Sequence, residues 1–336
     1  MQRLLATLTM LALFVPISAL ASSLKIATIA PEGSVWMTEM RAGAEEIKQR
    51  TSGRVNIRFY PGGIMGNDNS VLRKIRIGQL HGGALTGGGL ATIYPDSQIY
   101  SLPFTFRSYE EVDYVRSRMD ALLIDGLRQQ GFISFGLGEG GFAYLMSNYP
   151  ITSVDDLSGH KVWIPEGDAI NRAGFNSIGV SPVSLPLVDV LTGLQTGLLD
   201  TVTTTPVGAI ALQWHTRVKY VNDAPLLYVF GTLLIQRKAF ERLSAGDQQI
   251  VSDVMSATLA KINTKSREDN QMARQALATQ GIKFLHSTDE QQKRWIDPVS
   301  QTMDRLAHEG VFSATLLQTL RKHLDDYRKG ASAQPK

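Results

Sequence analysis

Residues 24–63 read LKIATIAPEGSVWMTEMRAGAEEIKQRTSGRVNIRFYPGG, and the fold class is written in this stretch. Leu24 to Ile29 is a short β-like run that Pro31-Glu32-Gly33-Ser34 breaks. Ser34 is placed to cap a helix, since its hydroxyl can accept from an N–H of the first turn, and Met37, Met40, Ala44 and Ile47 then recur at helical spacing. Thr51-Ser52-Gly53 stops that helix. Arg54 to Tyr60 alternates as a strand does, and Pro61-Gly62-Gly63 turns the chain. Val71, Leu72 and Ile75 mark another short helix, after which Ala84-Leu85-Thr86 enters Gly87-Gly88-Gly89. This β-α-β-α-β rhythm predicts a parallel sheet with helices on its faces.

A second α/β unit begins near Ser147. Ser153-Val154-Asp155-Asp156 has the spacing of a capping box, and Lys161 to Ile164 reads as a strand. Helices are predicted over Asp168–Ser177 and Val188–Leu194, the latter closed by Gly197. Leu198–Thr203 and the long apolar run Leu226–Ile235 read as strands. Ser244 to Asp247 opens the longest helix, whose apolar face carries Val251, Val254, Met255, Thr258, Leu259 and Ile262 and continues to about Ala278. At about 1.5 Å per residue it can cross more than one lobe. Two α/β units predict two lobes with a cleft between them.

Upstream, Met1 to Ala21 (MQRLLATLTMLALFVPISALA) shows a charged start, an apolar middle and a small-x-small end. This is the pattern of a secretory leader cleaved after Ala21, weighed against an uncleaved anchor helix. The chain has 336 residues, a net charge of +3 and 43% hydrophobic residues, which argues against a nucleic-acid partner, a disordered chain and a multi-span membrane protein. With no cysteine there is no disulfide, thiol catalysis, cysteine-bound metal or lipid anchor through an N-terminal Cys. The tail from Lys329 to Lys336 lacks a core pattern and reads as frayed.

Gly136-Leu137-Gly138-Glu139-Gly140-Gly141 matches G-x-G-x-x-G, but Phe142 to Met146 then reads as β. A dinucleotide fold needs a helix there to hold the pyrophosphate, so these glycines are read as a strand crossover where a hinge could lie. The six histidines are scattered without metal-ligand spacing, and there is no G-x-S-x-G. The acid pairs at 45–46, 110–111, 155–156 and 325–326 read as caps and solvated helix faces. No cofactor, metal or enzymatic activity is expected. Trp36, Phe142, Tyr144, Trp163, Trp214 and Tyr228 lie near predicted element ends, where an apolar ligand pocket would draw on them, although each taken singly also suits a core.

Ordered stretches across the mature chain carry a resemblance. They are YPGGIMGNDNSVLRKIRIGQL (60–80), SLPFTFRSYEEV (101–112), GGFAYLMSN (140–148), ITSVDDLSGHKVWIP (151–165) and GVSPVSLPLVDVLTGLQTGLLD (179–200). In these the chain resembles the periplasmic solute-binding proteins of TRAP transporters, the DctP-type receptors. The resemblance implies a two-lobed fold with hinge strands and one lobe-spanning helix. It implies 22–143 with about 231–280 as lobe I, and 144–230 with about 281–328 as lobe II. It also implies capture of a small solute by lobe closure, followed by delivery to small and large membrane permease subunits.

The departures from the family pattern bear on the ligand. The family's K-x-R-x-P strand grips a substrate carboxylate through its Arg; here it reads Lys161-Val162-Trp163-Ile164-Pro165. An Arg that many members carry after Gly-Phe is Ala143 here, and the polar pair after L-Q-T-G-x-x-D is Thr203-Thr204. A buried carboxylate without a cation costs several kcal/mol, so the expected ligand is neutral, apolar or aromatic. The alternative is an organic acid held by a compensating Arg172 or Arg107. The expected ligand-binding set is Trp36, Gly88, Phe142, Ala143, Tyr144, Trp163, Pro165, Thr203, Thr204, Trp214 and Tyr228. Members with Trp for Arg resemble a TRAP subgroup that works with a tetratricopeptide-repeat periplasmic partner. A ligand sensor without transport and an enzyme in the same cleft are the competing readings.

Overall fold

The structure, a computed structural model, describes residues 22–332, so the expected leader and its cleavage site lie outside the described residues. The elements begin β1 (Ser22–Thr28), α1 (Val35–Arg50), β2 (Val55–Tyr60), α2 (Asp68–Arg76), β3 (Gly82–Thr86), α3 (Gly87–Leu90), α4 (Tyr109–Gln129), β4 (Phe132–Ser134) and β5 (Gly138–Ser147). They continue with β6 (Trp163–Pro165), α5 (Ala169–Ser177), β7 (Val183–Leu185), α6 (Val190–Thr196), β8 (Thr201–Thr204), α7 (Pro206–Ala211), β9 (Tyr220–Asn222) and β10 (Leu227–Gln236). The chain ends with α8 (Arg237–Phe240), α9 (Ala245–Thr279), β11 (Lys283–Leu285), α10 (Asp289–His308) and α11 (Ala314–Ser332).

The opening stretch folds as read. Ser34 caps α1 by accepting from the Met37 N–H, and β1 runs parallel to both β2 and β3. The strand order is β11-β9-β5-β10-β3-β1-β2, with β4 on β10 and β8 on β5. β10 is antiparallel to β3, β4 and β5 and sits between strands that precede it by many residues. β5 changes partners along its length. Its first half pairs with β10, and its second half pairs with β8 and β9. β5 and β10 therefore join two sheet halves, and a bulge at Val229/Phe230 marks the junction. A small parallel pair, β6 and β7, is tied to β8 through a Val162–Thr201 bridge.

The two halves carry separate cores, giving a two-lobed α/β fold. Ile26, Met37, Met40, Ile47 and Phe59 pack with Val251, Val254, Met255 and Leu259 of α9. In the other lobe Met146, Trp163, Val190, Val202 and Trp214 pack with Leu277, near the far end of the same helix. The 35 residues of α9 span about 52 Å, so one rigid rod belongs to both cores. A third cluster joins α4, α10, α11 and the segment around Tyr100 to Phe106.

Four details differ from the sequence reading. The Ser153–Asp156 signature opens only a 3₁₀ turn. There the Asp156 carboxylate accepts from the Thr152 and Ser153 N–H groups, and no serine cap forms. Glu111 is not solvated but buried, holding Arg328 of α11 through both carboxylate oxygens. α11 runs on through Ser332, into the stretch expected as a tail, of which residues 333–336 lie outside the described residues. Finally, α11 lies along α4, whereas α10 lies along α5.

Candidate functional site

Register places several of the expected ligand residues side by side. Tyr144 of β5 stands opposite Thr204 of β8, and Leu145 opposite Thr203. Val162 bridges Thr201, so the alternation of side chains puts Trp163 on the same sheet face as Val202 and Thr204. Trp163 is only 5% exposed. Its indole N–H donates to the Leu185 carbonyl at 3.0 Å, and its ring meets Trp214 edge-on at 5.1 Å. Trp163 and Trp214 thus form an interlocked aromatic pair in the core of this lobe, with the Trp163 donor satisfied. Thr203 carries a buried hydroxyl with no hydrogen-bond partner among the described residues. Pro165, at the end of β6, is exposed.

A second group forms at the junction of β5 and β10. Phe142 and Tyr228 are register partners, with rings 5.8 Å apart, and Tyr109 of α4 packs on Phe142 at 4.9 Å. Ala143 is buried beside them. The Tyr228 hydroxyl donates to Glu139, which is fully buried, and accepts from Arg116. Arg267 of α9 grips both Glu139 oxygens at 2.9 and 2.8 Å and reaches Asp113 of α4 with its outer nitrogens. Burial drives the Tyr228 phenol well above its ordinary pKa, so it stays a proton donor. The paired carboxylates hold the Arg267 guanidinium charged.

α9 fixes this junction with one row of polar side chains. Asn263 accepts from the Glu139 N–H and donates to the Leu137 carbonyl. Asn270 donates to the Gly140 carbonyl and accepts from the Val207 N–H of α7. Gly141 has φ +98°, and a methyl group there would lie 2.6 Å from Asn270 Nδ2, so the strand can approach α9 only as glycine. The G-x-G-x-x-G match is thus a close strand-to-helix approach, not a phosphate cradle.

The lobes meet across two lips. One is the Pro61–Asn67 loop, with left-handed glycines at 62, 63 and 66; the other is the turn after β6 and the start of α6. Asn67 caps α2 with its side-chain oxygen, which accepts from the Ser70 N–H. Its Nδ2 donates across the gap to Glu166 Oε2 at 2.7 Å. Beside this bond a methyl on Gly63 would touch Val188 at 3.6 Å, and one on Gly167 would lie 3.5 Å from Asn69 Nδ2. Asp68, next along, is buried, and Oδ2 accepts from both the N–H and the hydroxyl of Thr86. Its Oδ1 has no partner among the described residues, and burial raises its pKa.

Not all expected residues converge. Trp36 packs on Gly138 and joins the α1–β2 core, and Gly88 is exposed with open space around it. Arg172 and Arg107 are exposed. Sequence reading passed over Glu139, Arg267, Asn67 and Glu166, because their partners lie far along the chain. It also passed over Arg274, whose guanidinium lies 5.6 Å from the Tyr144 ring and 4.1 Å from that of Phe284. A cavity of about 490 Å³ opens between α4 and α9, lined by Arg116, Asn263 and Arg267, and one of about 420 Å³ lies against α10; neither is lined by Trp163 or Trp214.

The model of bacterial extracellular solute-binding protein family 7, DctP, matches residues 26–309. The chain belongs to this family. One DctP relative, the C4-dicarboxylate-binding periplasmic protein of Rhodobacter capsulatus, is 24% identical over 90% of this chain and 91% of its own. A TRAP periplasmic solute-binding protein from Ochrobactrum anthropi, solved with its C-terminus in the ligand-binding pocket, superposes with a TM-score of 0.80. It shares 24% identity and covers 93% of this chain and 97% of its own. The sugar acid binding protein of Advenella mimigardefordensis, solved with galactonate, has a TM-score of 0.84 at 17% identity, covering 91% and 98%. DctP-family proteins are periplasmic receptors that bind small molecules and work with membrane permease subunits, and this member is a receptor, not an enzyme. Among the described residues no helix is long and apolar enough to cross a membrane.

Proposed function

We propose that this receptor captures a neutral, apolar or aromatic solute between its lobes by hinge closure and hands it to a TRAP permease. The observation that carries the reading is Trp163. At the strand position where the family's Arg grips a carboxylate, this chain has an indole whose N–H is satisfied by Leu185 and whose ring is locked on Trp214. Neither indole carries a charge, and moving a carboxylate against two indoles without a cation would cost several kcal/mol. Phe142, Ala143, Tyr144, Pro165, Thr203, Thr204 and Tyr228 supply the remaining walls in this reading; Trp36, packed on the α1–β2 core, and Gly88, exposed, do not join them. In this reading 22–143 with about 231–280 forms lobe I and 144–230 with about 281–328 forms lobe II, although α11, within the latter range, lies along α4.

The test compares matched probes. Benzyl alcohol is expected to raise the melting temperature of the wild type, whereas benzoate and succinate are expected to leave it unchanged. Trp163→Arg is expected to gain succinate binding and to lose the solute that co-purifies with the wild type, read by native mass spectrometry. Tight binding of succinate or a sugar acid by the wild type would overturn the reading.

A second reading is favoured by a specific contact. Arg274 lies against Tyr144, so a carboxylate could be held from α9 in place of the Trp163 position. This fits the acids named for the relatives above, and loss of benzoate binding in Arg274→Gln, if the wild type binds benzoate, distinguishes the two. A tetratricopeptide-repeat partner in the periplasm is part of the proposal; co-purification with such a protein tests it.

A further inference from the structure

We propose that Asn67 and Glu166 form a latch that holds the lobes together without any solute. The inference rests on the hinge-closure reading above. Asn67 belongs to the lip loop that opens α2, and Glu166 to the turn that follows β6, 99 residues away in sequence. Their 2.7 Å bond is a direct side-chain hydrogen bond between these two lips, and it is charge-assisted, because the acceptor is a carboxylate.

Two features mark it as a built contact. Asn67 is held in place by a second task, since its Oδ1 caps α2 through the Ser70 N–H, which leaves Nδ2 aimed outward at a fixed angle. The latch is also flanked on both sides, by Gly63 facing the Val188 side chain and Gly167 facing the Asn69 side chain, where an added methyl group would reach van der Waals contact with the opposite lip. Glu166 is exposed and makes no salt bridge among the described residues, so its carboxylate is available to the amide. A latch of this kind shifts the ratio of closed to open receptor, and any solute then acts on a population that is already biased.

The chemistry allows an exchange that separates latch from helix cap. Asn67→Asp keeps a cap acceptor, as Asp is among the preferred N-cap residues, but sets a second carboxylate oxygen against Glu166. Adding Glu166→Gln restores a donor and acceptor with the roles reversed. The chain has no cysteine, so Arg76→Cys and Gln195→Cys, on exposed positions of the two lobes, can be spin-labelled without background. Pulsed dipolar spectroscopy then reads the interlobe distance distribution of the full receptor without added solute.

Asn67→Asp is expected to lower the closed-to-open ratio about fivefold to tenfold, as for an exposed pair turned repulsive. Asn67→Asp with Glu166→Gln is expected to recover most of that loss. An unchanged ratio in Asn67→Asp, or a loss that Glu166→Gln does not repair, overturns the latch. If a long-distance component is nonetheless present in the wild type, hinge closure stands without it. One short distance in every variant overturns both the latch and the closure reading.

Discussion

Asp68 shows how one buried carboxylate couples the lip to pH. Burial raises its pKa, while the Thr86 N–H and hydroxyl pull the other way by hydrogen bonding to the charged form. A group whose folded pKa lies above its unfolded one binds more protons in the folded state. Its contribution is therefore full below the unfolded pKa and is lost as pH rises through the folded one. Asp68→Asn lets the amide oxygen keep both Thr86 donors and removes the charge. Urea unfolding at pH 7 and at pH 5 is expected to show the wild type gaining stability relative to Asp68→Asn as the pH falls. A constant difference would mean that Asp68 does not titrate in this window. At this scale the sequence was partly legible. Trp163 could be singled out because the strand around it has a recognisable pattern. Asp68 and Asn67 lay within a quoted stretch but looked like ordinary helix-start residues, which in part they are.

Among the elements, α9 decides how the two sheet halves are joined. Its Asn263, Arg267 and Asn270 recur at i, i+4 and i+7 and hold the strand from Leu137 to Gly140. Glu139 tolerates complete burial because Arg267 and Tyr228 satisfy it. Arg267→Ala would strand that charge and is expected to cost about 3–5 kcal/mol in chemical denaturation. Arg267→Ala with Glu139→Gln is expected to recover part of this, and a single substitution costing under about 1 kcal/mol would show that the pair is not coupled. The length of α9 was legible from its apolar stripe, but its polar row was not, because Glu139 and Arg267 are 128 residues apart. The signal for α4 was present in Val112, Val115, Met119, Leu123 and Leu127, all buried on one face, and went unread. α10 carries Pro298 inside the helix, a residue that ordinarily disrupts one.

For the whole molecule, the rod shared by both cores ties their stabilities together. Trp36 reports on the core of α1 and β2, and Trp214 on the core of β8 and α6. Variants retaining only one of these tryptophans are expected to give the same urea midpoint by fluorescence, as two-state unfolding requires. Separated midpoints would mean that α9 does not couple the lobes. The two-lobed architecture followed from the β-α rhythm, which needs only local pattern. The placement of α11 on α4 did not, since it rests on long-range apolar packing and on Arg328 reaching the buried Glu111, 217 residues away.

The position of β10 constrains how the chain can be made. It fills the gap between β3 and β5, and its last paired residue is Gln236. Until that residue emerges, a chain synthesised or exported N-terminus first exposes two unpaired strand edges, the kind of surface on which other chains nucleate aggregation. Assembly of the first sheet is thereby deferred until more than two thirds of the polypeptide has appeared. Truncation ahead of Leu227 is therefore expected to give an aggregating fragment instead of a free-standing lobe.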